Sequence, residues 1–115
     1  MARYEATVPG NLGELRKYID SKKSYLGATV SAEEETEGEV DGVRYYVAGL
    51  ERFAALGGNR VGLNLTFLEY TGGVRVIATS LGGSQAAFLK INHWSEDNFL
   101  NDFVSLLEGY RKRKR

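Results

Sequence analysis

The alternation of polar and apolar residues predicts that antiparallel strands form most of this chain. One strand is predicted over residues 2–8 and another over 60–67, where every second residue is apolar. A further strand is predicted over 74–81, which is rich in β-branched residues. Glycine-rich stretches precede the last two strands and predict turns there. Residues 86–91 fit either a final strand, which the pattern favours, or a helical turn.

The segment from about 28 to 52 is predicted to form a hairpin with Asp41-Gly42 at its turn, because a type I′ turn needs positive φ at both residues. The two-residue period of a strand then sorts the side chains by face. The water-facing side is predicted to hold Thr29, Ser31, Glu33, Glu35, Glu37, Glu39, Arg44, Tyr46 and Arg52. The inner side is predicted to hold Ala28, Val30, Ala32, Glu34, Thr36, Gly38, Val40, Val43, Tyr45 and Val47. The inward direction of Glu34 has three readings: a sheet margin, a nearby bulge, or a buried functional carboxylate.

Two helices are predicted, one near each end of the chain. The first spans about residues 12–22, with Asn11 as its N-cap and Glu14 in the capping-box position. The second begins after Ser95, and Trp94 occupies a hydrophobic-staple position before it. Its broad apolar stripe consists of Phe99, Leu100, Phe103, Val104, Leu106, Leu107 and Tyr110.

The order of these elements predicts an α+β fold. A single antiparallel sheet of five or six strands is expected, with a short N-terminal helix and a long C-terminal helix on one face, in the order β-α-β-β-β-β-(β)-α. Residues 1–110 form one domain in this prediction, and residues 111–115 form a basic C-terminal tail. The order resembles the half-repeat of the TATA-box-binding protein and the helix-grip lipid-binding proteins. That resemblance implies a topology and leaves function open.

Composition narrows the class of protein. The chain has 115 residues, 43% of them hydrophobic and 26% charged, as in an ordinary soluble domain. It contains no cysteine, which excludes disulfides, thiolate metal sites and cysteine nucleophiles. No signal peptide and no membrane span is recognisable, so a cytoplasmic location is expected.

The net charge of zero hides an asymmetry along the chain. Five of the fifteen basic residues are Arg111, Lys112, Arg113, Lys114 and Arg115. The preceding 110 residues therefore hold ten basic against fifteen acidic side chains. A protein that binds nucleic acid specifically would instead carry its basic residues across a folded face, so no specific nucleic-acid binding is expected.

The sequence predicts neither a metal site nor a catalytic set. The acidic run starting at Glu33 follows a calcium-loop template at its first positions, but Arg44 stands where that loop needs a bidentate glutamate. The stretch Gly82-Gly83-Ser84 resembles a nucleophile elbow, but its neighbours are predicted to be antiparallel, whereas the elbow belongs to a parallel sheet. No cofactor motif is present, and the protein is expected not to be an enzyme.

The remaining candidates are binding residues. Tyr45, Tyr70, His93 and Trp94 are predicted to line a pocket for an apolar or amphipathic ligand between the sheet and the C-terminal helix. The leading hypothesis is therefore a small non-enzymatic binding or interaction domain that forms a homodimer. The alternative is association with nucleic acid or another anionic surface through the electrostatic tail 111–115.

Three segments resemble a family of small bacterial proteins of unknown function over nearly the whole chain. They are "GNLGELRKYI", "GGNRVGLNLTFLEY" and "SLGGSQAAFLKINHWSEDNFL". The family has no established activity, so the resemblance assigns no role to any residue.

Overall fold

Five antiparallel strands form one sheet in the computed structural model, which describes residues 2–53, 60–81 and 99–113. The strands are β1 (Arg3–Val8), β2 (Ser31–Val40), β3 (Val43–Phe53), β4 (Arg60–Tyr70) and β5 (Gly73–Leu81). The helices are α1 (Leu12–Ser21) and α2 (Phe99–Arg113), and a single 3₁₀ turn, Lys23–Leu26, follows α1. This arrangement confirms the predicted α+β fold. The segment 86–91 lies outside the described residues.

The strand order is β1-β5-β4-β3-β2, so β4 is the central strand. Both helices pack on the same face of the sheet and bury a single core against it. From the sheet this core includes Val8, Tyr46, Ala48, Leu50, Leu63, Leu65, Phe67, Val74, Val76 and Ala78. From the helices it includes Leu12, Leu15, Ile19, Phe99, Phe103, Leu106, Leu107 and Tyr110. None of the described helices is long and apolar enough to cross a membrane.

The capping box predicted for α1 is confirmed. The backbone N–H of Glu14 donates to Asn11 Oδ1 at 2.8 Å, and the Glu14 carboxylate accepts from the Asn11 N–H at 3.2 Å. These two bonds satisfy donors that the first helical turn leaves unpaired. The backbone N–H of Leu12 also donates to Glu69 Oε1 at 2.9 Å, which ties the start of α1 to β4.

Helix α2 continues through Arg113, so the first three residues of the predicted tail are helical. Their positive charge lies at the C-terminal end of the helix, where the helix dipole favours it. Arg111 also pairs with Glu108 at 3.0 Å, one turn earlier. The predicted cap Ser95 and staple Trp94 lie outside the described residues.

Two tight turns depend on glycine. The predicted turn between β2 and β3 is confirmed, since Asp41 and Gly42 have φ values of 51° and 82°. Gly73, which opens β5, has a φ of 134°. A Cβ atom there would lie 2.4 Å from the carbonyl oxygen of Val8, so the backbone of β1 leaves no room for a side chain.

A bulge in β2 overturns the predicted faces of the acidic run. Ala32 pairs with Leu50 but Glu34 pairs with Gly49, so Glu33 is an extra residue that reverses the alternation. Glu35, which lies opposite the buried Ala48, therefore faces the helix side together with Glu37 and Glu39. Glu33 stays with Glu34 on the other face. The prediction that four glutamates share one face, with Glu34 alone on the opposite face, is wrong.

The predicted faces of β3 are also wrong. Tyr46 and Arg52 are 7% and 9% exposed on the helix side, although both were predicted to face water. Val43, Tyr45 and Val47 point away from the helices instead. The physical reason is that β3 carries apolar residues at both parities. Its inner face is the one that continues into the buried residues Leu63, Leu65 and Phe67 of β4.

Candidate functional site

The face of the sheet that the helices leave uncovered is rich in apolar side chains, and we call it the open face. An antiparallel sheet usually presents polar residues on its solvent side. Here the open face carries Val40, Val43, Tyr45, Val47, Phe53, Leu68, Tyr70, Ile77 and Leu81. Val40 is 61% exposed and Tyr70 is 46% exposed. Exposed apolar side chains on the uncovered face of a sheet are typical of an interaction site.

Three cross-strand rows order the middle of the open face. Each row runs across the sheet from β2 to β1. Its members are the residues that pair with each other on successive strands. The first is Glu34-Gly49-Asn64-Thr79-Arg3, the second is Thr36-Val47-Thr66-Ile77-Glu5, and the third is Gly38-Tyr45-Leu68-Arg75-Thr7. Val47 and Ile77 are the apolar members of the second row and Tyr45 and Leu68 those of the third, whereas charges lie at both ends of the first.

Two tyrosines of the open face cover glycines. A Cβ atom on Gly38 would lie 2.6 Å from the hydroxyl oxygen of Tyr45, so this ring occupies the space beside the edge strand. The ring of Tyr70 likewise lies 2.7 Å from the Cβ position of Gly72. These contacts spread both rings across the surface and widen the apolar area.

The charged residues of the open face form two groups at different ends of the sheet. On β1 and β5, Glu5 pairs with Arg75 at 2.9 Å and with Arg3 at 3.4 Å. Beside β2, Arg60 pairs with Glu51 at 2.6 Å and with Glu33 at 3.5 Å. The β1 group is net positive and the group beside β2 is net negative.

Glu34 adds to the negative charge at the β2 edge. It is exposed, and it has no ion-pair partner among the described residues. Its carboxylate is therefore available to a charged group outside the protomer. Of the three readings of Glu34, the sheet margin and the nearby bulge are both confirmed, since β2 is an edge strand with its bulge beside this residue.

The predicted binding residues do not come together between the sheet and α2. Tyr45 and Tyr70 lie on the open face, on the opposite side of the sheet from both helices. His93 and Trp94 lie outside the described residues. Of the predicted tail, Arg111, Lys112 and Arg113 belong to α2, while Lys114 and Arg115 lie outside the described residues.

A polar cluster lies on the helix side, where β2 extends past α1. The Tyr46 hydroxyl donates to Glu35 Oε2 at 2.9 Å, and the Arg16 guanidinium stacks on the Tyr46 ring at 4.0 Å. Arg16 also forms an ion pair with Glu37. Burial, reinforced by the bond to Glu35, raises the pKa of Tyr46 to about 12. Tyr46 is therefore a protonated donor at neutral pH, and this cluster ties β2 to α1.

The cavity under this cluster is too small for an organic ligand. Its volume is about 20 Å³, which holds about one water molecule. Its floor includes Leu50, Leu65 and Phe67 and its rim includes Arg16 and Glu35. The cavity is narrow, and the side chains at its rim are hydrogen-bonded or ion-paired. Both features are typical of the packed margin between a helix and a sheet.

Arg52 is buried for a structural reason. Its guanidinium donates to the Leu26 carbonyl and to Asp102 Oδ2, the latter at 2.9 Å, and stacks on Phe99 at 4.4 Å. These contacts join β3, the 3₁₀ turn and α2. Among the described residues there is no group of three or more His, Cys, Asp or Glu side chains that could hold a metal ion.

A basic groove lies between the exposed sides of α1 and α2. Its centre is Tyr18, whose ring lies 5.1 Å from that of Tyr110. Lys22 and Arg113 stand 5.9 and 5.3 Å from the centre of the Tyr18 ring. The groove has a volume of about 410 Å³ and is lined by Lys17, Arg113 and Glu14 around the two tyrosines, while Lys22 lines the neighbouring groove on Tyr18. Positive charge is thus concentrated on the helix layer, away from the acidic β2 edge.

Sequence reasoning missed the open face because it assigned Val43, Tyr45 and Val47 to the core. The signal was present in β4 and β5. Leu68 and Ile77 stand among polar neighbours on strands whose opposite face already carries an unbroken apolar series. Apolar residues on both faces of an antiparallel sheet indicate that both faces have contacts.

The comparison with protein families identifies a family that covers nearly the whole chain. The model of DUF6054, a family of unknown function, matches residues 1–111. A search of curated proteins gave no match.

Proposed function

Because the chain belongs to DUF6054, a family of unknown function, we propose its role from geometry: it is a non-enzymatic interaction domain that forms a homodimer through the open face. The observation that carries the proposal is the apolar character of that face, on which Val40 is 61%, Phe53 48% and Tyr70 46% exposed. Burying exposed apolar area of this extent in an interface is favourable in free energy, because the area is removed from water. A cytoplasmic location, expected from the sequence, stays part of this proposal.

A ligand between the sheet and the helices is not part of this proposal. The cavity of about 20 Å³ beneath α1 offers no room for one. Tyr45 and Tyr70, which were predicted to contact the ligand, lie on the open face and favour a protein contact there. Tyrosine suits such a surface, because its ring provides apolar area and its hydroxyl can still form hydrogen bonds.

Light scattering on two matched variants tests this proposal. Leu68→Lys places a charge at the centre of the open face, and we expect it to convert the dimer to a monomer. Tyr25→Lys makes the same kind of change at an apolar residue that is 56% exposed on the helix side, and we expect the dimer to persist. A folded Leu68→Lys variant with the mass of a dimer would contradict the proposal.

A second function has its own observation, the basic groove around Tyr18. We propose association of this groove with an anionic surface, since Lys17 and Arg113 line it and Lys22 stands over the same Tyr18 ring. Vesicles that contain phosphatidylserine provide the test. Binding should fall with added salt and in a variant with Lys17→Glu and Lys22→Glu.

The matched control for the vesicle experiment carries Arg44→Glu and Arg60→Glu, which change the net charge equally on exposed strand residues. That variant should retain vesicle binding. Equal loss in both variants would show a response to net charge alone and would contradict a role for the groove.

A further inference from the structure

The charges of the open face select one way of pairing two copies. We infer that the protomers stack face to face as a two-sheet sandwich, with the two-fold axis running along the central strand β4. This inference rests on the proposed homodimer and adds the arrangement of its partner. It follows from the register of the three rows and the chemistry of their members.

Rotation about an axis along β4 exchanges the two halves of the sheet. Because the strand order is β1-β5-β4-β3-β2, β1 of one protomer faces β2 of the other, and β5 faces β3. Residues of β4 face their own copies. Each row is therefore placed over itself in reverse order, and aligned packing of this kind is common for sheets about 10 Å apart.

The first row acquires an ion pair in this arrangement. Arg3 of one protomer faces Glu34 of the second copy, and the symmetric pair forms at the opposite edge. Within one protomer these residues stand on strands at opposite edges of the sheet. The arrangement therefore gives the unpaired carboxylate of Glu34 a partner, and the small residues Gly49 and Thr79 face each other beside it.

The second and third rows provide apolar and cation–π contacts. Ile77 faces Val47, and Leu68 faces its own copy on the axis. Arg75 faces Tyr45, whose ring lies flat over Gly38 and offers its face to a guanidinium. Asn64 and Thr66 face their own copies, and Glu5 faces Thr36. No row therefore places like charges over each other.

The other face-to-face arrangement has its two-fold axis perpendicular to the strands. In that arrangement, the residues that face each other are poorly matched. It would place the second row on itself, so that Glu5 met its own copy with like charge. It would also place Asn64 of the first row over Leu68 of the third row. Facing like charges are destabilising, and a polar amide buried over an aliphatic side chain lacks a hydrogen-bond partner.

The size of the face fits a specific but weak dimer. Five strands spaced about 4.8 Å apart and three rows spaced roughly 7 Å apart cover about 500 Å² per protomer. The pair would bury roughly 1,000 Å², which is near the lower limit for a specific interface. We therefore expect a concentration-dependent dimer that the two ion pairs help to align.

Thiol cross-linking tests the axis directly, because the chain has no cysteine of its own. Dibromobimane bridges two nearby thiols and then fluoresces. Leu68→Cys should give a covalent fluorescent dimer, since the two thiols face each other on the axis. Ile77→Cys alone should not, but a mixture of Ile77→Cys with Val47→Cys should. Self-linking of Ile77→Cys without linking of Leu68→Cys would overturn this arrangement.

A charge exchange gives an independent test of the pairing. Arg3→Glu and Glu34→Arg should each weaken the dimer by about tenfold, and the double variant should recover most of the loss. Such recovery cannot come from a contact between Arg3 and Glu34 inside one protomer, because four strand spacings of about 4.8 Å separate them there. A dimer without recovery in the double variant would overturn the arrangement but leave the proposed function intact. The absence of any dimer in the unmodified protein would overturn both.

Discussion

The hydroxyl of Tyr46 donates to the carboxylate of Glu35 at 2.9 Å, across the ladder that joins β2 to β3. This bond exists because the bulge after Ala32 turns Glu35 toward the helix side. Arg16 covers the same ring from α1 at 4.0 Å. A buried donor, a carboxylate and a cation thus hold the acidic edge strand against the first helix.

Replacing Tyr46 with phenylalanine should destabilise the fold by about 1 kcal/mol, because Glu35 loses a hydrogen-bond donor in a half-buried site. Urea unfolding at neutral pH measures the change. Tyr45→Phe is the matched control, because that ring lies on the open face over Gly38. Equal losses in the two variants would contradict the structural role given to the Tyr46 hydroxyl.

The raised pKa of Tyr46 also predicts that the free energy of unfolding depends on pH. Burial raises the pKa of Tyr46 from its ordinary value of 10.0 to about 12, so the folded state holds the proton more tightly. The associated stability is fully present below pH 10 and is lost as the pH rises toward 12. The free energy of unfolding should therefore fall more steeply across this window in the native protein than in Tyr46→Phe. Parallel curves would contradict the assignment.

Arg52→Lys should cost about 2 kcal/mol of stability. Lysine keeps the charge but cannot bond the Leu26 carbonyl and Asp102 together while stacking on Phe99. Arg60→Lys is the control at an exposed ion pair and should cost less than about 1 kcal/mol. Thermal or urea unfolding distinguishes the two. If Arg60→Lys lost as much stability as Arg52→Lys, the result would contradict a special stabilising role for the buried contacts of Arg52.

Gly73→Ala should destabilise the protein by about 2–3 kcal/mol. The positive φ of 134° disfavours any side chain, and the new Cβ would meet the Val8 carbonyl oxygen at 2.4 Å. Gly49→Ala is the matched control, since no atom lies within 4 Å of its Cβ position. A Gly73→Ala variant as stable as Gly49→Ala would show that the β4–β5 turn tolerates a different backbone.

The elements with strong local signals could be predicted from the sequence. The turn at Asp41-Gly42 needs positive φ, and the box of Asn11 and Glu14 marks the start of a helix, so both are specified within a few residues. The strand at 60–67 has apolar residues of one parity only, which specifies its buried face. Local chemistry decided these features, and the fold class followed from their order.

The faces of β2 and β3 could not be predicted because nothing local specifies them. The bulge at Glu33 comes from pairing with β3, and no glycine or proline marks it in the sequence. In β3 the adjacent pair Tyr45 and Tyr46 gives both parities a similar apolar character. Burial of Arg52 depends on Asp102, which is 50 positions away along the chain. Each of these features is decided by a tertiary contact.

The central claim is that the open face, with Leu68 at its centre, pairs two copies of the chain. Sedimentation equilibrium of the unmodified protein over a wide range of concentrations tests it most directly. We predict a reversible change from the mass of one chain at low concentration to twice that mass at high concentration, with Leu68→Lys monomeric throughout. A single-chain mass for the unmodified protein at every concentration would contradict the claim.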